Sequence, residues 1–158
     1  PPIWIAANGD RAIQRAAQLN FPWHINPHST FQTIQRQVTL YHHAAEAAGL
    51  ALETKHPLYR ELYCAETHEQ AWQQVQPYLG SKYETYASWG QDQQISGETV
   101  SFNHEFQDVA RDRFIIGSPQ ECIEELERYY SLGVSAAHFR MAWPGIPKNL
   151  AIKSIGRK

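Results

Sequence analysis

The sequence predicts an α/β fold, a parallel (β/α) half-barrel of the TIM type. Three observations predict it. Short apolar runs alternate with amphipathic helical patterns along the chain, an order that implies right-handed crossovers and a parallel sheet. Four such strand–helix units can be read, half the number in a closed eight-fold barrel. The length is 158 residues, against roughly 250 for a whole barrel.

The first strand is predicted at Ile3–Ala7, an apolar run bounded by Pro2 and by Asn8-Gly9-Asp10 and expected to be buried on both faces. Asn8-Gly9-Asp10 is a turn, and Asn8 or Asp10 can cap a helix over residues 10–19, where Ala12, Ile13, Ala16 and Ala17 share a face. Pro22–Asn26 reads as the second strand and Pro27 ends it. Ser29 or Thr30 then starts a long helix. Its apolar positions Phe31, Ile34, Val38, Tyr41, Ala45 and Ala48 recur at steps of three and four, and Gly49 is its stop.

Residues 50–57 read as a linker, and Leu58–Glu66 as the third strand, with Leu58, Arg60, Leu62 and Cys64 on one face. Thr67 followed by Gln70 is a capping-box pattern. The helix it opens carries Ala71, Trp72, Val75 and Leu79, and Pro77 is expected to end or kink it. A short helix is expected over 82–89. Residues 91–110 read as an irregular, lid-like loop inside a single domain spanning 1–158. Apolar order returns at Phe114–Gly117. Ser118, Pro119 and Glu121 then open a helix that buries Cys122, Ile123, Leu126 and Tyr130 and stops at Gly133. Val134–Trp143 is the fourth strand, Pro144-Gly145-Ile146-Pro147 a turn, and a last helix begins near Asn149.

Composition narrows the function. Apolar residues make up 42% of the chain and charged ones 19%, enough burial to exclude wholesale disorder. Fourteen basic against 16 acidic side chains leave a net charge of −2, which argues against a general nucleic-acid binder. No apolar run approaches the roughly 20 residues of a membrane span. Cys64 and Cys122 lie far apart with no metal-type spacing, so neither a disulfide framework nor a metal is expected, and the default setting is a reducing cytoplasm. The chain opens on Pro1-Pro2 without a Met and closes on the basic run Asn149–Lys158. Both ends read as cut, and a piece of a larger protein is expected.

The turn Ala7-Asn8-Gly9-Asp10-Arg11-Ala12 is the leading site candidate. It joins a strand end to a helix N-terminus, where free N–H groups and the helix dipole favour an anion. Gly9 admits close approach and Arg11 can add a charged contact. The same residues also fit an ordinary strand-to-helix turn. His24, Asn26 and His28, with Trp23, are placed near the barrel mouth facing a small-molecule substrate, and Arg140 on the fourth strand can hold an anion there. The alternative is barrel-filling Trp and surface His. Positions 24 and 28 have the i, i+4 spacing of a helical metal pair, but on a strand they stand about 13 Å apart. His42-His43 read as surface residues, and the two cysteines as small core residues. Gly117-Ser118-Pro119-Gln120 has the composition of a phosphate loop, but its capping role accounts for it.

The segment Ile116-Gly117-Ser118-Pro119-Gln120-Glu121 resembles the bacterial luciferase-like flavin monooxygenases, in which (F/V)-x-G-(S/T)-P-x-E precedes the last barrel helix and the last strand follows. The opening through Trp23 is similar to the fifth strand and fifth helix of that family. Trp143-Pro144-Gly145-Ile146-Pro147 resembles a W-P-G-x-P turn after the eighth strand. The resemblance implies strands five to eight of the barrel, with FMN or the deazaflavin F420, FMN favoured, at the C-terminal face of the strands. It carries flavin contact onto Asn8, Gly9 and Ala12. Here Asn8-Gly9 stands where other members have an acidic residue followed by Ser, so a hydroxyl is lost.

No catalytic residue is assigned, because the family keeps several of those groups in its first half. The implied function is a fragment of a flavin-dependent oxidoreductase or monooxygenase acting on a small organic substrate. The alternative is a non-catalytic half-barrel that binds flavin weakly or serves as scaffold. The resemblance implies that the stretch 91–110 corresponds to a region that in the family is a mobile flap shielding reduced flavin. A half-barrel also exposes sheet edges and an inner face. Self-association or pairing with the missing half is therefore expected, with Ile3, Ile5, Ile25, Leu62 and Phe139 as candidates for that surface.

Overall fold

Parallel pairing organises the chain. The computed structural model describes residues 1, 3–51, 56–97 and 101–156. Among the described residues the strands are β1 (Ile5–Ala6), β2 (Trp23–His24), β3 (His56–Cys64), β4 (Ile115–Gly117) and β5 (Val134–Arg140). The helices are α1 (Asp10–Gln18), α2 (Phe31–Ala47), α3 (His68–Ser88), α4 (Phe106–Ala110), α5 (Pro119–Tyr130) and α6 (Lys148–Ile155). β1 pairs with β2, and β3 pairs with both β4 and β5, all in parallel. Ile25 joins the two sheets: its N–H donates to Pro57 O at 2.8 Å, and its carbonyl accepts Tyr59 N–H at 3.0 Å. The predicted α/β class with a parallel sheet is present. Residues 52–55 of the expected linker and 98–100 of the expected loop lie outside the described residues, as do Pro2, Arg157 and Lys158.

Helices cover one face of this sheet. Ile13, Ala16, Ala17, Trp23, Ile25, Ile34, Val38, Tyr41, Leu58, Leu62, Ile115 and Tyr129 form one core. Ala71, Val75, Leu79, Tyr83, Phe102, Phe114 and Trp143 form a second one about α3. Alternation along β3 sends Leu58, Arg60 and Leu62 toward the helices and Tyr59 and Glu61 to the other face. Among the described residues no helix is long and apolar enough to cross a membrane.

Several elements differ from expectation. The predicted first strand is not buried on both faces: Ile3 is 59% exposed and Ala6 is open to solvent, and among the described residues β1 pairs with β2 alone. Ile25 and Leu62, expected on an apolar inner face, lie in the helix-facing core instead. Trp4, His24, Tyr59 and His138 take that inner face, with ring centroids 5.4–6.2 Å apart between contacting neighbours. β3 begins two residues early and takes in Pro57, which is tolerated because the register shifts between His56 and Pro57.

Pro77 does not end its helix, and the separate helix expected over 82–89 is the continuation of α3. The buried stripe Ala71, Val75, Leu79, Tyr83 and Ala87 runs across the proline. Its burial outweighs the roughly 3 kcal/mol a mid-helix proline costs. Within 91–110 the described part holds a 3₁₀ turn at Asp92–Gln94 and the short α4, anchored by buried Ile95, Phe102 and Val109. β4 is a strand that the apolar run Phe114–Gly117 marked without specifying.

Candidate functional site

Two arginines shape the turn after β2. Arg60, wholly buried on the helix side of β3, donates to Asn26 O at 2.8 Å, Ser29 O at 2.9 Å and Tyr129 OH at 3.0 Å. Arg113 donates to His28 O and Val109 O. Inside the turn, the Asn26 side chain accepts the N–H groups of His28 at 2.8 Å and Ser29 at 3.0 Å. Asn26 is thus buried and committed to the turn, with a local role rather than the substrate-facing one read from sequence. Its hydrogen bonds present His28 to the C-terminal half of α3. The His28 ring stands edge-on to Tyr83 and Tyr86, with Nδ1 3.3 Å from the Tyr83 hydroxyl. Burial, reinforced by the Lys82, Arg60, Arg140 and Arg113 cations, lowers its pKa to about 3, so the ring is neutral at pH 7.

The centre of the site is Glu61, whose carboxylate is inaccessible to solvent. Lys82 of α3 hydrogen-bonds its Oε1. Arg140 of β5 places Nη1 3.6 Å from the same oxygen, and Trp143 donates its indole N–H to Oε2 at 2.6 Å. Burial pulls the Lys82 pKa down to about 8 against the opposing pull of Glu61, with Arg140 adding to the decrease. Lys82 also lies over the Tyr83 and Tyr86 rings at 5.3 and 5.0 Å. Arg140 covers the Tyr59 ring at 5.1 Å and meets the Tyr86 hydroxyl at 3.3 Å. All this chemistry collects at the C-terminal ends of β2, β3 and β5, beneath α3.

Below it, one aromatic side chain from each of four neighbouring segments makes a floor: Trp4, His24, Tyr59 and His138. Burial first, then His138, lowers the His24 pKa. His24, expected at the mouth, is a member of this floor. His28 and Arg140 stand above it.

The turn Ala7–Ala12 sits at the C-terminal end of β1 as expected. Gly9 has φ −95° and caps α1 without a side-chain hydrogen bond. The first N–H of α1 is not free: Asp10 N–H donates to Ser96 Oγ at 3.3 Å. Arg36 grips the Asp10 carboxylate through two contacts, at 2.8 and 2.9 Å, and donates to Ser96 O at 2.6 Å. That guanidinium lowers the Asp10 pKa. Asn8 O accepts the Gln37 amide at 3.0 Å, while Arg11 is exposed. An oxygen acceptor from the 91–97 segment therefore already occupies the helix N-terminus that sequence reading reserved for an anion.

Sequence reasoning missed Tyr59, Glu61, Lys82, Tyr86 and Trp143. For Tyr59 and Glu61 a signal existed: they alternate with the apolar face of β3, and Glu61 is a charge inside a strand. For Lys82 and Tyr86 there was none, because Pro77 hid the fact that α3 reaches over the strand ends. Ser118 behaves as read from sequence: Ser118 N–H and Oγ meet Glu121 Oε2 at 2.8 and 2.7 Å, closing the capping box. Among the described residues no group of three or more His, Cys, Asp or Glu is placed to hold a metal, and both cysteines are free thiols.

A family model described as luciferase-like monooxygenase matches residues 1–136. No curated protein sequence matches the chain at a significant level. Solved structures that superpose on it include the monooxygenase RslO1 from Streptomyces bottropensis (TM-score 0.66, 18% identity, 98% of this chain and 45% of that one). Another is flavoprotein 390, at TM-score 0.71 and 13% identity, covering 98% and 62%. A third is the oxygenating constituent of 3,6-diketocamphane monooxygenase from the CAM plasmid of Pseudomonas putida, in complex with FMN, at TM-score 0.70 and 18% identity, covering 98% and 46%. At these identities the likeness shows the fold. The chain spans 45%, 62% and 46% of their lengths.

Proposed function

Because this chain belongs to the luciferase-like monooxygenase family, we propose that it supplies strands five to eight of a flavin-dependent (β/α)8 oxidoreductase that oxygenates a small organic substrate. The observation that carries this reading is the family match over residues 1–136. The mouth supports it, since polar groups gather at the strand C-termini, where barrels of this kind keep their sites.

Two features of this chain fit a flavin. The floor of Trp4, His24, Tyr59 and His138 is an aromatic layer in which Trp4, His24 and Tyr59 lie within 13–23° of their neighbours and His138 is tilted by 40–48°, and a conjugated ring can lie above it. The Asp10 N–H at the start of α1 points outward and donates to an oxygen, Ser96 Oγ at 3.3 Å, at the place a phosphate oxygen would take. Ala7, Asn8, Gly9, Asp10, Arg11 and Ala12 would hold the phosphate, with Arg11 supplying charge. When bound, the reduced flavin supplies the electrons for the reaction. FMN is favoured over F420, because an FMN-bound structure is among the neighbours. His24, His28 and Arg140 would face the substrate, with His28 held neutral by its burial. Residues 91–110 would act as the lid, with Ser96 over the turn and Arg36 as its latch. The cellular setting consistent with two free thiols is a reducing cytoplasm.

Titration of the chain with FMN and with F420, followed by absorbance and flavin fluorescence, tests the reading. Saturable binding of one flavin supports it, and binding of neither overturns it for this chain. Flavin binding without turnover, when the chain is joined to a first barrel half, assigns the scaffold role instead.

A further inference from the structure

Lys82 and Arg140 share one carboxylate. Glu61 takes the Lys82 ammonium and the Trp143 indole N–H directly, and Arg140 stands 3.6 Å away. Those partners saturate the buried carboxylate and leave the Glu61–Lys82–Arg140 cluster itself with one more positive than negative charge, beside the buried Arg60 and Arg113 cations that also act on His28. Arg140 bears the surplus outward, with a side chain 33% exposed. Among the described residues its neutral partners are the Tyr86 hydroxyl, at a long 3.3 Å, and Tyr59, whose face it covers and whose side chain it hydrogen-bonds. A guanidinium has five donors in a planar fork, and the described residues engage only part of them.

Arg140 borders a groove of about 440 Å³ between α3 and the segment after β5, a size suited to a small ligand. Tyr78, Tyr86, Trp89 and Trp143 form its aromatic walls. Tyr86 and Trp89 are 5.6 Å apart, and Trp89 is 64% exposed. Arg140 is the guanidinium that faces this groove, and one outward fork suits a single carboxylate, while the walls match a planar ring.

We propose that this groove binds an aromatic carboxylate, with the carboxylate on the Arg140 fork and the ring against Tyr86, Trp89 and Trp143. This names the substrate class of the oxygenation proposed above and rests on that reading for its catalytic meaning. The anion site itself needs no flavin.

The test is calorimetric titration of the chain with 1-naphthoate, its neutral amide and inorganic phosphate, alongside the indole N–H signals of Trp89 and Trp143. The acid is expected to bind at least about tenfold more tightly than the amide and to shift both indole signals. Arg140→Gln should remove that preference. Trp89→Ala should weaken acid and amide alike while leaving the preference intact. Equal affinity for acid and amide, an unchanged preference in Arg140→Gln, or full displacement of naphthoate by millimolar phosphate would each overturn the proposal. FMN titration of the same samples is read separately, so loss of the anion site and loss of the flavin reading are distinct results.

Discussion

Arg60 is a cation with no exposed surface, bonded to Asn26 O, Ser29 O and Tyr129 OH. Its value lies in those acceptors, which lose their donors together when it is removed. Arg60→Ala should therefore lower stability by about 3 kcal/mol, read as a drop in the urea midpoint. His56 works in the opposite sense. It is wholly inaccessible, and burial, with His42 adding, lowers its pKa to about 4 from 6.5. The unfolded chain then binds the proton first, so stability is full above about pH 6.5 and falls as pH drops toward 4. The loss from this group is about 3 kcal/mol at the acid end. His56→Phe should flatten the stability slope between those values by close to one proton, measured by denaturation at several pH values. The remaining acid slope in the variant belongs partly to His28, whose folded pKa lies near 3.

At the scale of elements, local chemistry and packing divide the outcome. The start of α5 is local. Ser118 closes a capping box with Glu121, and a Cβ on Gly117 would come within 2.7 Å of Glu121 Oε2. Ser118→Ala should cost about 1 kcal/mol in thermal or urea unfolding and leave FMN affinity unchanged. A matching loss of FMN affinity would make Gly117–Gln120 a phosphate loop after all. This cap, the helical stripes of α1 and α2 and the apolar face of β3 were all legible in sequence, because each depends on residues within a few turns. The continuation of α3 through Pro77 was not. It depends on what Val75, Leu79 and Tyr83 meet across the fold, and Phe102 and Phe114 are distant in sequence. Lys82 and Tyr86 reach the mouth as a consequence.

For the whole molecule, the open sheet is the governing fact. β5 lies at a sheet edge, with Ala136, Ala137, His138 and Phe139 exposed. Beside it an apolar groove of about 310 Å³ runs between α5 and β5, flanked by Ile123 and by Tyr130, which is 77% exposed. Apolar area in contact with water favours association by roughly 25 cal/mol per Å². The self-association expected from the sequence predicts species heavier than 18.1 kDa in sedimentation equilibrium at micromolar concentration. Ile123→Glu together with Tyr130→Glu should shift that equilibrium toward the single chain. A wild-type chain that sediments as a clean monomer would contradict the self-association.

By itself the sequence determined the alternating strand–helix order, the parallel class, the caps of α2, α3 and α5 and the family resemblance, whereas α1 is capped by Gly9 rather than by the Asn8 or Asp10 side chain. Periodicity, capping residues and short motifs are properties of neighbouring residues and survive in any context. It placed the Ala7–Ala12 turn after the first strand for the same reason, and put Arg140 inside a fourth strand that in the structure ends at that residue. The tertiary structure alone decided which face of each strand meets the helices, so Ile25 and Leu62 went to the core, Tyr59 to the aromatic floor and Glu61 to the mouth. It alone brought Lys82, Arg140 and Trp143 onto Glu61, and Ser96 onto Asp10. Those contacts join residues 21 to 86 positions apart. Charge pairing and burial at such separations arise only when the chain has folded.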